Sequence, residues 1–389
     1  MKKPLVVGLG ILIVATAVGG FVWVAWFKAK PVTNVPNTRT PAVVKPYVDE
    51  VFDKMTLKEK VASLFILHAS GTNPDTIKAF MDQYQSGGFI LMGDNIPSTD
   101  KGLIEITNAI RGDGRLPRLA AIDEEGGSVK RLPGDTFPSA ETLKNKYLTD
   151  TYDAFMKRSD LVMSVGINLN FGIIADVTNN PNSFIYDRVL GTNPQTASDN
   201  VRAAVGASRG RTLSTLKHFP GHGETADDSH TSIPTTNISY DVWQAKDMLP
   251  FDAGVQGGAD FVMFGHLRYS SVDSQPASLS KKWHDILKDN LHFRGISITD
   301  DMIMLQNSGE AAFSDPVANA ITALNAGNTM LLYVLDNQGA ANTKIDPAAL
   351  IDGVVAAVND GRISKSLIDS DVLQVLKLRD GIEPFTQNQ

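Results

Sequence analysis

Short apolar runs, each closed off by glycine, proline, asparagine or aspartate, recur along this chain, and stretches of helical period fill the gaps between them. The runs predict strands at residues 61–67 (VASLFIL), 88–92 (GFILM), 118–123 (RLAAID) and 167–174 (INLNFGII), then at 213–219 (LSTLKHF), 260–266 (DFVMFGH), 295–300 (GISITD) and 328–334 (NTMLLYV). Helices are expected between them, among them NPDTIKAFMDQYQS, TASDNVRAAVGASR and KKWHDILKDNL. The runs lack strict alternation, as parallel strands covered on both faces do. Eight strands alternating with helices predict an α/β fold, the (β/α)8 TIM barrel, as a single catalytic domain. An open doubly wound sheet is the competing arrangement, but no glycine-rich dinucleotide fingerprint follows any of the runs.

The N-terminus follows another pattern. Residues 4–27 are 24 positions without a charge. At about 1.5 Å per residue they are long enough to cross a hydrocarbon layer of roughly 30 Å. Lys2 and Lys3 precede the run, and Trp23 and Trp26 sit at its far end, where interfacial aromatics belong. Residues 1–27 therefore predict an N-terminal transmembrane helix. The small-x-small triplet ATA at 15–17 keeps a cleaved signal peptide as the alternative. Lys28 and Lys30 flank the other end, so charge bias hardly orients the segment. The short basic tail before a single apolar segment is the usual export arrangement, and it leads us to expect a single-pass protein of the cell membrane with its catalytic domain outside the cytoplasm. Residues 28–46, with four prolines, read as an extended linker. The folded domain is expected at 47–382, followed by a tail at 383–389.

Composition narrows the function. A net charge of −7 without a basic face argues against nucleic acid as a partner. The absence of cysteine excludes disulfides, thiolate metal sites and a cysteine nucleophile.

On a barrel, chemistry gathers at the C-terminal ends of the strands. Here those ends carry Asp123, Lys217, His218, His266 and Asp300. The stretch KHFPGHGETADDSH, residues 217–230, adds His222, Asp228 and His230. Three readings of it compete. Three imidazoles suit a metal, but Pro220, Gly221 and Gly223 preclude the helical i, i+4 pair that gives that signal its strength. The stretch is also compatible with a polar loop that solvates itself. The third reading is an acid/base dyad, in which the Asp228 carboxylate fixes the tautomer of His230. Asp300, with Asp301 as the other candidate, would supply a carboxylate nucleophile, and the two together make the retaining-glycosidase arrangement. Asp123, Arg131, Arg188 and Lys217 would then bind sugar hydroxyls.

The chain resembles the single-barrel β-N-acetylglucosaminidase branch of glycoside hydrolase family 3 in MTLKEKVASLF, AAIDEEGGSVKRL, FPSA, KHFPGHGETADDSH, FGH, ASLSKKW and ITDDM. These elements span most of residues 55–304. The resemblance implies Asp300 as nucleophile, His230 as acid/base with Asp228 as its partner, and Asp123, Arg131, Arg188, Lys217 and His218 as sugar-binding residues. It implies a β-N-acetylhexosaminidase acting on N-acetylglucosaminyl glycans such as muropeptides, with no metal and no organic cofactor. The chain departs from the family pattern at several places. Val189–Leu190 replaces Ser-Phe after Arg188, Ser128 replaces arginine, Gly172–Ile173 replaces Ala-Pro, Asp94 replaces a basic residue, and His292 replaces glycine. A β-glucosidase, a phosphorolytic glycosidase and a non-catalytic glycan-binding protein remain as alternatives.

Overall fold

A computed structural model describes residues 46–335, 345–383 and 385 of the chain. Eight parallel strands close into a barrel in chain order: β1 (Phe65–Leu67), β2 (Gly88–Leu91), β3 (Leu119–Ile122), β4 (Leu169–Ile174), β5 (Leu213–Phe219), β6 (Phe261–Phe264), β7 (Ile296–Asp301) and β8 (Met330–Tyr333). Each strand pairs with its neighbours in sequence. The ring is sealed by β1 against β8, with Phe65 opposite Leu331 and Leu67 opposite Tyr333. All eight expected strands exist.

One of them begins later than its apolar run. The first half of VASLFIL closes a helix, Leu57–Ala62. Thr56 and Glu59 form a capping box, each side chain taking the other's backbone N–H, and this commits the following residues to helix before the strand can start. The transmembrane segment expected at residues 4–27 lies outside the described residues. Among the described residues no helix is long and apolar enough to cross a membrane.

The outer helices begin by one recurring device. Pro74–Tyr84, Pro194–Ser208, Pro316–Ala326 and Pro347–Asn359 each open with proline, behind a capping Asn73, Asn193, Asp315 or Asp346. The cap side chain accepts a backbone N–H of the first turn, and proline sits where its missing N–H costs nothing. Phe65, Phe171, Phe261, Met263 and Ile298 of the strands are buried in one continuous core. Residue His292 has φ of +56°, in the left-handed region that favours glycine. Its exposed side chain leaves the turn free to form without glycine.

Candidate active site

The C-terminal ends of the strands enclose a cleft of about 360 Å³. Seven of the eight expected site residues line it: Asp123, Arg131, Arg188, Lys217, His218, His230 and Asp300. The eighth, Asp228, stands behind His230 and is bonded to it. A larger cavity, about 670 Å³, opens at the opposite end, where β4 to β6 begin; it is lined by Asn168, Leu213, Ser214 and Asp260 and no histidine.

Three consecutive acids after β3 meet three different fates. The Asp123 carboxylate accepts from Lys217 Nζ at 2.7 Å and lies 4.0 Å from the Arg131 guanidinium. Glu124 turns inward and accepts the backbone N–H groups of Arg131 and Leu132 at 2.8 and 2.9 Å, which fixes the loop that carries Arg131. Burial raises its carboxyl to about 7. The start of this loop is held by Asn170 on β4, whose amide exchanges two hydrogen bonds with the backbone of Glu124. A Cβ on residue 172 would lie 2.5 Å from that Asn170 amide, which explains the glycine there. Gly126 likewise has φ of +84°, and a Cβ would stand 2.2 Å from the Arg158 guanidinium, itself locked in a buried ion pair with Asp135.

Glu125 is the hinge of the charge network. It receives a two-pronged pair of bonds from Arg188, at 2.8 and 2.7 Å, and an ion pair from Lys217 at 2.7 Å. Burial alone would raise its carboxyl, but the two cations hold it down at about 2, against an ordinary 4.5. Burial works against both cations, but Glu125 and Asp123 raise the pKa values of Lys217 and Arg188 and keep them charged.

Replacing Glu125 with alanine strands two buried cations, and the expected cost is about 3–5 kcal/mol of folding stability. The sign with pH follows from the depressed value. The stabilisation is present above pH 4.5 and is lost as pH falls through about 2. Glu125→Gln should therefore flatten the acid limb of stability, and urea titrations between pH 5 and about 2 measure it. An unchanged acid limb would refute this role.

His218 and Asp300 occupy the floor. His218 Nδ1–H donates to Asp176 Oδ2 at 2.8 Å, which turns Nε2 toward Arg188. Asp176 also accepts the backbone N–H groups of His218 and His222, so one buried carboxylate organises the KHFPGH turn. Its two neighbouring peptide bonds, Lys217–His218 and Phe219–Pro220, are cis. The His222 ring is buried with neither nitrogen bonded, and burial pushes it down to about 4.

The two aspartates ending β7 differ in charge state. Burial works against the Asp300 carboxylate, but His218, Lys217 and the Asp301 backbone N–H, which donates to Oδ1 at 2.8 Å, outweigh it and hold its pKa below the usual carboxylate value. Asp301 is buried and pushed up to about 7, though its Oδ1 accepts the N–H groups of Ile303 and Val334 at 3.1 and 3.0 Å. Near neutral pH Asp300 is therefore ionised, while Asp301 is partly protonated. His266, expected at the rim, lies behind it: Nε2–H donates to the Asp301 carbonyl at 2.9 Å, so Nδ1 accepts from the Ser278 hydroxyl. Burial lowers the His266 pKa and keeps the ring neutral.

The dyad forms within its own loop. His230 Nδ1–H donates to Asp228 Oδ1 at 2.7 Å, and the same oxygen accepts the His230 backbone N–H at 2.9 Å. The imidazole is 57% exposed, and Nε2 has no hydrogen-bond partner among the described residues. The three histidines of the motif thus differ in burial and bonding, although the His218 and His222 rings meet edge to face at 5.7 Å. Among the described residues no group of three or more metal-ligating side chains converges.

Three contributors were not foreseen from the sequence. Glu125 stood in plain view in IDEEGG, but nothing local distinguishes it from Glu124. Asp176 lies two residues beyond the end of β4, outside a search confined to strand termini. Phe184, in the loop after β4, lines the cleft, and no local pattern marks it.

A parallel barrel with an ionised aspartate, an imidazole–carboxylate dyad and a charged floor in one C-terminal cleft has the make-up of a glycoside hydrolase. Residues 56–378 match the glycosyl hydrolase family 3 N-terminal domain, and the chain belongs to that family. It is 32% identical over 338 residues to Beta-hexosaminidase LpqI of Mycobacterium tuberculosis, covering 83% of this chain and 82% of that protein. It is 28% identical over 345 residues to Beta-hexosaminidase A of Pseudoalteromonas piscicida, covering 80% of this chain but only 56% of the relative. Among solved structures it resembles a glycoside hydrolase family 3 beta-N-acetylglucosaminidase from Paenibacillus, with a TM-score of 0.75 at 28% identity, over 84% of this chain and 63% of that one.

Proposed function

We propose that the protein is a retaining β-N-acetylhexosaminidase that removes terminal β-linked N-acetylglucosamine, with peptidoglycan-derived glycans as its substrates. The observation that carries this reading is the pairing of an ionised Asp300 with the His230–Asp228 dyad across one cleft. Asp300 attacks the anomeric carbon, and His230 Nε2–H protonates the departing oxygen. The covalent glycosyl-enzyme is released when the now neutral His230 takes a proton from water. Asp123, Arg131, Arg188, Lys217 and His218 hold the sugar, and Glu125 keeps the cations among them in place. Arg131 Nε is buried without a partner among the described residues, as a group reserved for a ligand would be. The M. tuberculosis and P. piscicida relatives are named beta-hexosaminidases and the Paenibacillus one a beta-N-acetylglucosaminidase, which favours a hexosamine, and N-acetylglucosamine among them, over glucose. Residues 4–27 tether the enzyme to the membrane.

The test is turnover of aryl β-N-acetylglucosaminide, aryl β-glucoside and muropeptides by the full-length protein in salt-washed membranes. The N-acetylglucosaminide and the muropeptides should be cleaved and the glucoside left nearly untouched, with the activity sedimenting. Preference for the glucoside would sink the specificity, and activity confined to the soluble fraction would sink the tether.

A further inference from the structure

The acid/base dyad is made inside one loop, so Asp228 fixes the tautomer of His230 but cannot fix where the pair stands over the cleft. Outside that loop the His230 ring meets Phe184, edge to face, with centroids 5.9 Å apart and planes at 69°. Phe184 also packs on the buried His222 ring at 5.6 Å, and the Arg188 guanidinium lies 5.9 Å from its centroid. Its mount is rigid. Ile185 and Val189 are wholly buried and pack with Ile174 of β4, while Lys144 donates to the Tyr186 carbonyl at 3.0 Å. On the other side Ser183 donates its hydroxyl to the Thr225 carbonyl, inside the His230 loop, at 3.2 Å. The loop after β4 therefore grips the His230 loop at two points, one polar and one aromatic. Phe184 itself stays 37% exposed and faces the cleft.

We propose that Phe184 is a positioning residue that sets the place of the His230 imidazole over the glycosidic oxygen. The inference rests on the acid/base reading of His230 given above. An aromatic edge-to-face contact has a preferred geometry, which a contact between aliphatic groups lacks. A ring mounted on buried Ile185 and Val189 transfers the rigidity of the barrel to a loop that is otherwise solvent-exposed at Ala226, Asp227 and His230. General-acid catalysis is sensitive to such placement, because displacement by about 1 Å can cost on the order of 100-fold in rate.

The experiment compares wild type, Phe184→Ala, Phe184→Tyr, His230→Ala and the double variant Phe184→Ala/His230→Ala. Each is assayed on chitobiose and on an aryl N-acetylglucosaminide with a good leaving group, with thermal melts to verify folding. Phe184→Ala should lower kcat on chitobiose on the order of 10- to 100-fold with KM little changed. It should spare the glycosylation step of the aryl substrate, which needs little protonation. Phe184→Tyr, which keeps the ring, should restore chitobiose turnover. In the His230→Ala background the second substitution should cost nothing further, since there is no imidazole left to place. Two results would overturn the proposal: additive losses in the double variant, or a raised KM with kcat intact, which would make Phe184 a stacking surface for substrate. If His230→Ala alone left chitobiose turnover at the wild-type rate, the acid/base reading would fall and this inference with it.

Discussion

Asp300→Ala should abolish turnover, with a loss of about 10⁴-fold or more, in a protein that still melts as a folded barrel. Asp301→Asn should retain activity within about tenfold. The two residues are chemically identical and adjacent, so the contrast depends on their surroundings alone. His218, Lys217 and the Asp301 backbone N–H keep Asp300 ionised, which a nucleophile requires. Asp301 is raised to about 7 by burial, and one of its oxygens is already occupied by two backbone amides. Asparagine can accept those same two bonds through its Oδ1, so the structural duty of Asp301 survives the change while its titration is lost. A mechanism-based fluorosugar should label Asp300, as read by peptide mass spectrometry. Labelling at Asp301, or an active Asp300→Ala enzyme, would overturn the assignment.

His230→Ala should divide substrates by leaving group. General acid–base catalysis contributes about 10²- to 10⁴-fold, and a natural disaccharide should lose an amount in that range. An aryl glycoside with a good leaving group should keep its first step and accumulate glycosyl-enzyme, because the second step still lacks its base. Azide, which needs no deprotonation, should restore that step and yield a glycosyl azide detectable by mass spectrometry. Equal losses on both substrates, with no azide adduct, would remove His230 from the proton transfer. Asp228→Asn should fall between wild type and His230→Ala, since it loses the carboxylate that accepts Nδ1–H but leaves the imidazole in place.

The barrel was legible in the sequence because buried parallel strands must be apolar throughout, and eight such runs separated by capped helices have few other ways to close. The misread start of β1 shows the limit. VAS and FIL belong to one uncharged run, and the capping box at Thr56 and Glu59 draws its first two residues into the helix. The polar strand ends located the cleft, since an acid or histidine terminating a buried run needs a reason to be there. His266 met the same criterion yet serves from behind, with both ring nitrogens tied to protein atoms. The charge states were not legible. Asp123, Glu124 and Glu125 are neighbours with one chemistry, and what separates them comes from Lys217, Arg188 and the Leu132 backbone, far along the chain or folded back upon them. Phe184 escaped notice for a related reason: its neighbours His222 and His230 meet it only once the loops after β4 and β5 are side by side.

The Asp300–Asp301 pair looks like a spare part kept beside the original. The pleat of β7 makes it nothing of the kind. Successive side chains on a strand leave on opposite sides, and here one carboxylate falls under the influence of Lys217 and His218 while the other is spent on the amides of Ile303 and Val334. Losing the first is not made good by the second even though both line the cleft, because Asp301 Oδ1 is committed to two backbone amides and its carboxyl is raised by burial. The duplicated acid offers this enzyme no redundancy, and a frame shift of a single position at the end of β7 would silence the cleft while leaving its composition untouched.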